Sequence, residues 1–191
     1  MQTIMQHFTP WFSLLFLLVE LYLNARLRNK KGRKTAADKS SLSVLWITII
    51  AAFILGGIGW QFPFATIRQG QPYVHYFGML FAVSGLLLRL IAIGQLGKSF
   101  TVNVQIAEGQ SLKRSGLYAY IRHPSYTGIL MAFSGLAITY SNWISLVVIL
   151  VPIFIAFGYR IRVEEAALRA EFGDAYLEYS RHTKRLVPFI F

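Results

Sequence analysis

The sequence predicts an all-α integral membrane bundle of about five transmembrane helices with a cytoplasmic C-terminal helical tail. Three observations predict it. The chain of 191 residues is 55% hydrophobic, with a mean hydropathy of +0.49, too apolar for an ordinary soluble domain of this size. Several windows approach the roughly 20 apolar residues that span a bilayer. The basic residues gather beside those windows and alternate with them, as cytoplasmic loops do.

The first span covers about residues 9–23, the second 42–60 and the third 74–96. The fourth starts at Pro124 and ends near Tyr140, and the fifth covers about 143–159. Only Ser141 and Asn142 join the last two, so they form a tight antiparallel hairpin. Tyr140 and Trp143 at that turn suit a membrane interface. Glycines 56, 57, 59, 78, 85, 128 and 135 permit close helix packing. The whole chain reads as one domain, a three-span part over 1–97 and a part over 98–191 that holds the hairpin and tail.

Charge sets the orientation. Arg26, Arg28, Lys30, Lys31, Arg33, Lys34 and Lys39 fall in the first link; Lys98, Lys113, Arg114 and Arg122 fall in the third; Arg160, Arg162, Arg169, Arg181, Lys184 and Arg185 fall in the tail. Arg68 stands on the other side. The first link, third link and tail are therefore cytoplasmic and the N-terminus outside. The net charge of +11 is explained by this membrane topology and by contact with anionic lipid, not by nucleic acid. The lack of cysteine excludes disulfides, thiolate metal sites and a cysteine nucleophile, and no metal-ligand spacing of histidines appears. No cleavable signal peptide is read in the first apolar stretch.

Two charges fall inside spans. Arg89 lies near the cytoplasmic end of the third; it either snorkels to the interface or faces the bundle and holds an anion. Glu20 is an isolated carboxylate of the first span, suited to a bundle-facing contact. The tail over about 162–181 has helical spacing, with a break at Gly173 and a second short helix from Asp174. Residues 186–191 are apolar enough to fold back onto protein or membrane.

Polar chemistry concentrates in two places. The first is Gly116-Leu117-Tyr118 running through Arg122-His123-Pro124-Ser125-Tyr126-Thr127-Gly128. Pro124 suits the first turn of a helix, which makes His123 its cap. A helix N-terminus favours an anion such as a carboxylate. Tyr118 and Tyr126 offer flat faces and hydroxyls for a heterocycle or a sulfonium. An aromatic belt with a positive-inside arginine accounts for each residue taken singly; the cluster points to a site. The second is Arg160-Ile161-Arg162-Val163-Glu164-Glu165, where Arg160 and Glu164 share a helix face. Its carboxylates suit ribose hydroxyls, an ammonium or a sulfonium; the bland reading is a surface ion pair worth less than about 1 kcal/mol.

The order Gly116-x-Tyr118-x-x-x-Arg122-His123-Pro124-x-Tyr126-x-Gly128, Arg160-x-x-x-Glu164-Glu165, Phe172-Gly173-x-x-Tyr176-x-x-Tyr179, Arg185 and Pro188 resembles the isoprenylcysteine carboxyl methyltransferases and, more widely, the phospholipid N-methyltransferases. The match covers about residues 105–191. The resemblance implies an S-adenosylmethionine-dependent methyltransferase whose cofactor lies at the cytoplasmic side. By motif position the cofactor contacts fall on Tyr118, His123, Pro124, Ser125, Tyr126 and Glu164, with Gln105, Gln110, Leu112 and Lys113 matching less closely. Arg160 falls on the position assigned to the methyl acceptor, a lipophilic small molecule or a prenylated or lipid substrate. O-methylation of a carboxylate needs positioning and water exclusion and no general base. An amine acceptor needs a base, for which only Glu165 and His123 stand near. A phospholipid or amine N-methyltransferase, an NADPH-dependent reductase and a non-catalytic lipid-binding protein are the other readings.

Overall fold

The computed structural model describes residues 2–27, 36–97 and 111–188, with side chains from Trp11 in the first stretch and Ser40 in the second. These residues are helical apart from short connections. The helices are α1 (Gln2–Leu27), α2 (Ala36–Gly56), α3 (Tyr73–Leu96), α4 (Pro124–Thr139), α5 (Trp143–Phe172) and α6 (Asp174–His182). Three of the described segments are long and apolar enough to cross a membrane: Ser40–Gly59, Tyr73–Leu96 and Trp143–Phe172.

Glycine decides the central contact. α3 and α4 run antiparallel, with Gly78 facing Gly135 and Gly85 facing Gly128. A Cβ on Gly85 would stand 2.6 Å from the Gly128 carbonyl oxygen, and one on Gly128 would stand 2.5 Å from the Arg89 nitrogen. The two backbones therefore touch, as small-residue seams allow. Gly56 and Gly59 serve the same purpose against α5, where Ile149 and Ser145 fill the space. Gly57 meets nothing within 4 Å, so the packing role expected of it is absent. The Gly56-Gly57-Ile58-Gly59 run instead ends α2 at Gly56, and residues Gly57–Gln61 tighten into a 3₁₀ turn.

The expected hairpin forms. Asn142 caps α5, its Oδ1 accepting from the Ile144 and Ser145 amides, the usual remedy for unpaired N–H groups in a first turn. Its amide nitrogen also donates to the Gly59 carbonyl at 3.0 Å. The apolar core runs from Phe12 and Phe16 of α1 through Ile49 and Ala52 of α2 to Phe133 of α4 and Phe157 of α5.

One boundary differs from expectation. The fifth span and the first part of the tail are a single helix, Trp143–Phe172, with no stop at Tyr159. Nothing between Tyr159 and Phe172 breaks a helix, and a change from apolar to charged side chains does not end backbone hydrogen bonding. The stop comes at Gly173, whose φ of +50 favours a residue without Cβ. α6 then starts at Asp174, as the sequence indicates.

Candidate functional site

At one end of the bundle the chain brings residue 118, residues 122–126, the α5 extension and the tail together. Pro124 begins α4 and His123 occupies its cap position, without a capping hydrogen bond from the imidazole. The peptide before it pairs with the tail: Arg122 N donates to the Lys184 carbonyl at 2.7 Å and His123 N to the Arg185 carbonyl at 3.0 Å. Thr127 Oγ1 donates to the Leu186 carbonyl at 2.7 Å, and Leu186 packs on the core. The tail thus folds back on the protein at Leu186; residues 189–191 lie outside the described residues.

Tyr126 is the hub of the first wall. Its hydroxyl donates to Glu164 Oε2 at 2.6 Å, and Arg160 interacts with the same hydroxyl. The His123 ring stacks on Tyr126, centroids 5.5 Å apart and 19° between planes. Phe157 meets the Tyr126 ring edge-on. The Glu164 side chain is 30% exposed, so its carboxylate is open at the surface of a group otherwise buried. His123 Nδ1 is 4.0 Å from Glu164 Oε1.

Arg160 is not the surface ion-pair partner of the bland reading. It is 1% exposed and donates to Ser41 Oγ of α2 at 2.6 Å. Sequence reading missed Ser41: a serine near the start of an apolar helix carries no mark of its own.

Glu165 does something the sequence does not announce. Its carboxylate takes Arg122 Nε at 2.9 Å and Arg185 Nη2 at 3.0 Å. His123 Nε2 stands 3.5 Å away without forming a hydrogen bond. Arg122 Nη1 donates to the Ser180 carbonyl at 3.1 Å and also to the Thr183 carbonyl. One carboxylate therefore ties the start of α4, the α5 extension and the tail. The clue was the recurrence of Arg122 and Arg185 beside a double glutamate, but only folding brings positions so far apart in sequence to one point.

Tyr118 is buried, and its hydroxyl lies 3.3 Å from the Ala92 carbonyl. Burial pushes its phenol up, with the Glu164 charge adding to the effect. Tyr179 donates to the Tyr118 carbonyl at 2.6 Å; burial pushes its phenol up to about 12. Both stay neutral hydrogen-bonding groups at physiological pH.

Of the other predicted contacts, Pro124 is fully buried. Ser125 turns away toward α3, accepting from Arg89 Nη1 at 2.9 Å. Leu112 and Lys113 are half-buried on the approach to Gly116; no hydrogen bond joins them to Glu164 or Tyr126 among the described residues. Gln105 and Gln110 lie outside the described residues. Glu20 is not isolated: it pairs with Arg89 inside the bundle, which settles Arg89 as a bundle-facing arginine holding an anion. Among the described residues no cluster of three metal-ligating side chains occurs.

The arrangement offers a half-open carboxylate, two stacked aromatic rings and a buried guanidinium within one group. That donor set suits a cationic, heterocycle-bearing ligand beside a carboxylate.

The sequence model of the isoprenylcysteine carboxyl methyltransferase (ICMT) family matches residues 78–170, a stretch that contains Tyr118, Arg122, His123, Tyr126, Arg160, Glu164 and Glu165 but not Ser41 or the tail residues beyond 170. Protein-S-isoprenylcysteine O-methyltransferase B of Arabidopsis thaliana is 34% identical over 120 residues, covering 62% of this chain and 61% of that protein. The Schizosaccharomyces pombe protein-S-isoprenylcysteine O-methyltransferase is 26% identical over 192 aligned positions, 94% of this chain and 81% of that one. The Rattus norvegicus counterpart is 34% identical, with 89% and 56% covered. The solved structure of the eukaryotic intramembrane Ras methyltransferase ICMT superposes with a TM-score of 0.61 at 27% identity, covering 78% of this chain and 52% of that one. The chain thus spans about three fifths of the length of the Arabidopsis relative. Its apolar helices and this likeness mark it as an integral membrane protein.

Proposed function

The chain belongs to the isoprenylcysteine carboxyl methyltransferase family through residues 78–170, and from that premise we propose that it transfers a methyl group from S-adenosylmethionine to a lipophilic acceptor, by O-methylation of a carboxylate. The observation that carries this reading is the grouping of Glu164, Tyr126, His123 and Arg160 around one phenol. S-adenosylmethionine supplies a methyl already activated on a sulfonium. Glu164 faces its ribose hydroxyls or its positive charge, and Tyr126, His123 and Tyr118 supply aromatic surface. Pro124, Leu112, Lys113, Gln105 and Gln110 are further cofactor contacts in this reading by motif position; Ser125 shares that motif position, with its hydroxyl held by Arg89. Arg160 grips the acceptor carboxylate, for which a guanidinium offers two parallel donors.

Carboxylate methylation is favoured over amine methylation by one finding. An amine acceptor needs a base; of the two groups near, Glu165 is already held by Arg122 and Arg185, and the His123 ring is stacked on Tyr126 with its side chain 3% exposed. A carboxylate acceptor needs none.

The reading includes five spans, adding α1 and α4 to the three long apolar segments. Support comes from α1, which turns Trp11, Leu14, Leu15, Leu18 and Leu21 outward, a face suited to lipid. The cofactor end is cytoplasmic and the N-terminus outside, as the distribution of Lys and Arg supports.

Titration of S-adenosylhomocysteine into the detergent-purified chain tests the cofactor half. Saturable binding that weakens at least tenfold in Glu164→Ala is expected; no binding at millimolar ligand refutes it. Transfer of labelled methyl into a lipid extract tests the acceptor half: base-labile label marks an ester, and base-stable label overturns the carboxylate reading.

A further inference from the structure

A cleft of about 1230 Å³ lies between α1, α2, the start of α3 and the end of α4. It is larger than the roughly 300–1,000 Å³ of small-molecule sites. Its walls are apolar, built by Phe16, Leu17, Ile50, Phe53, Phe133 and Leu136. The rim at the α2–α3 link carries Arg68, Gln71 and His75. This rim is at the end of the bundle opposite Arg122 and Glu165, because α4 runs from Pro124 at one end to Ser141 at the other.

Two features fix the polarity of an occupant. Arg68 is exposed, and no carboxylate pairs with it among the described residues. At the far end of the cleft, Glu20 has both oxygens engaged by Arg89, so that end presents no free charge to a headgroup. The residues around Tyr126 and Arg160 do not line the cleft.

We propose that this cleft holds an anionic phospholipid, its acyl chains between α1, α2 and α4 and its phosphate at Arg68. Charge complementarity selects the headgroup and the apolar walls select the chains. An exposed arginine alone holds a free phosphate weakly, since water and salt screen it; covered apolar surface supplies the rest. The proposal rests on membrane insertion of the bundle and not on the methyl-transfer reading.

Native mass spectrometry of the full chain, released from detergent with dioleoyl phosphatidylglycerol or dioleoyl phosphatidylcholine, tests it. One phosphatidylglycerol is expected to be retained at several-fold lower lipid concentration than phosphatidylcholine. Arg68→Ala should abolish that preference, while Arg181→Ala, an exposed charge at the other end, should keep it. Ile50→Trp, which fills the cleft, should lower retention of both lipids. Equal retention of the two lipids by the unaltered chain overturns the proposal, as does a preference that survives Arg68→Ala. Displacement of the lipid by glycerol phosphate would assign the site to a free anion, and displacement by a prenylated cysteine would assign the cleft to the methyl acceptor; either also overturns it.

Discussion

Arg89 of α3 grips Glu20 of α1 with two parallel bonds, Nε to Oε1 at 2.5 Å and Nη2 to Oε2 at 2.8 Å, inside the bundle. Its remaining nitrogen, Nη1, donates to Ser125 Oγ at the start of α4. Three helices are thus pinned at one point, and the α4 backbone at Gly128 rests against Arg89 itself. The pair explains how two charges persist in apolar surroundings: each is the other's partner, and an unpaired one would be costly.

Removing one member should therefore harm more than removing both. Glu20→Ala leaves an uncompensated buried guanidinium and is expected to cost about 3–5 kcal/mol. Glu20→Leu with Arg89→Met should recover much of that loss. Thermal unfolding in detergent reads both; a double variant no more stable than Glu20→Ala would show that the pair is not coupled in this way.

Glu165 should act on the tail more than on the helices. Glu165→Gln weakens two charge-assisted bonds, each worth roughly 1.5–3 kcal/mol. Amide exchange at Arg122 and His123, whose N–H groups bond to the tail, is expected to accelerate by roughly tenfold or more, since about 1.4 kcal/mol corresponds to a factor of ten. Exchange within α3 should stay unchanged. Equal acceleration in α3 would mean that the carboxylate supports the whole bundle.

The glycine seam makes a paired prediction. Gly128→Ala drives a methyl into the Arg89 backbone, and overpacking of this kind costs about 1–3 kcal/mol. Gly57→Ala meets open space and should change stability by less than about 0.5 kcal/mol. Melting temperatures of the two variants side by side decide it; similar losses would refute close contact as the reason for Gly128.

Tyr126 separates two contributions to cofactor binding. Tyr126→Phe removes the hydroxyl that Glu164 accepts from but keeps the ring on which His123 stacks. A loss of roughly 0.5–1.5 kcal/mol is expected for a neutral hydrogen bond, up to about 3 where the acceptor is charged. Tyr126→Ala should lose more, because the stack and the Phe157 contact go too. Calorimetric titration with S-adenosylhomocysteine gives both numbers, and equal losses would make the ring irrelevant.

Much of this molecule was legible in one dimension. Apolar length and the absence of breakers place α3 within a residue of its expected start, and Pro124, Asn142 and Gly173 mark their helix ends by local backbone chemistry that needs no neighbour. The polar cluster at 118–126 stood out because polar groups are rare beside apolar spans. Pairing was another matter. Whether Arg89 snorkels or turns inward depends on Glu20 arriving from another helix, and whether Glu165 is a base or a clamp depends on Arg122 and Arg185 meeting it. Charge partners so distant in sequence are chosen by how helices pack, and that packing follows from the glycine contacts of α3 and α4. So the amino-acid order alone determined the helices, their ends and the residue types at the site. The tertiary structure decided which carboxylate stays open, Glu164, and which is spent on holding the fold, Glu165, because only burial and partners distinguish two adjacent glutamates.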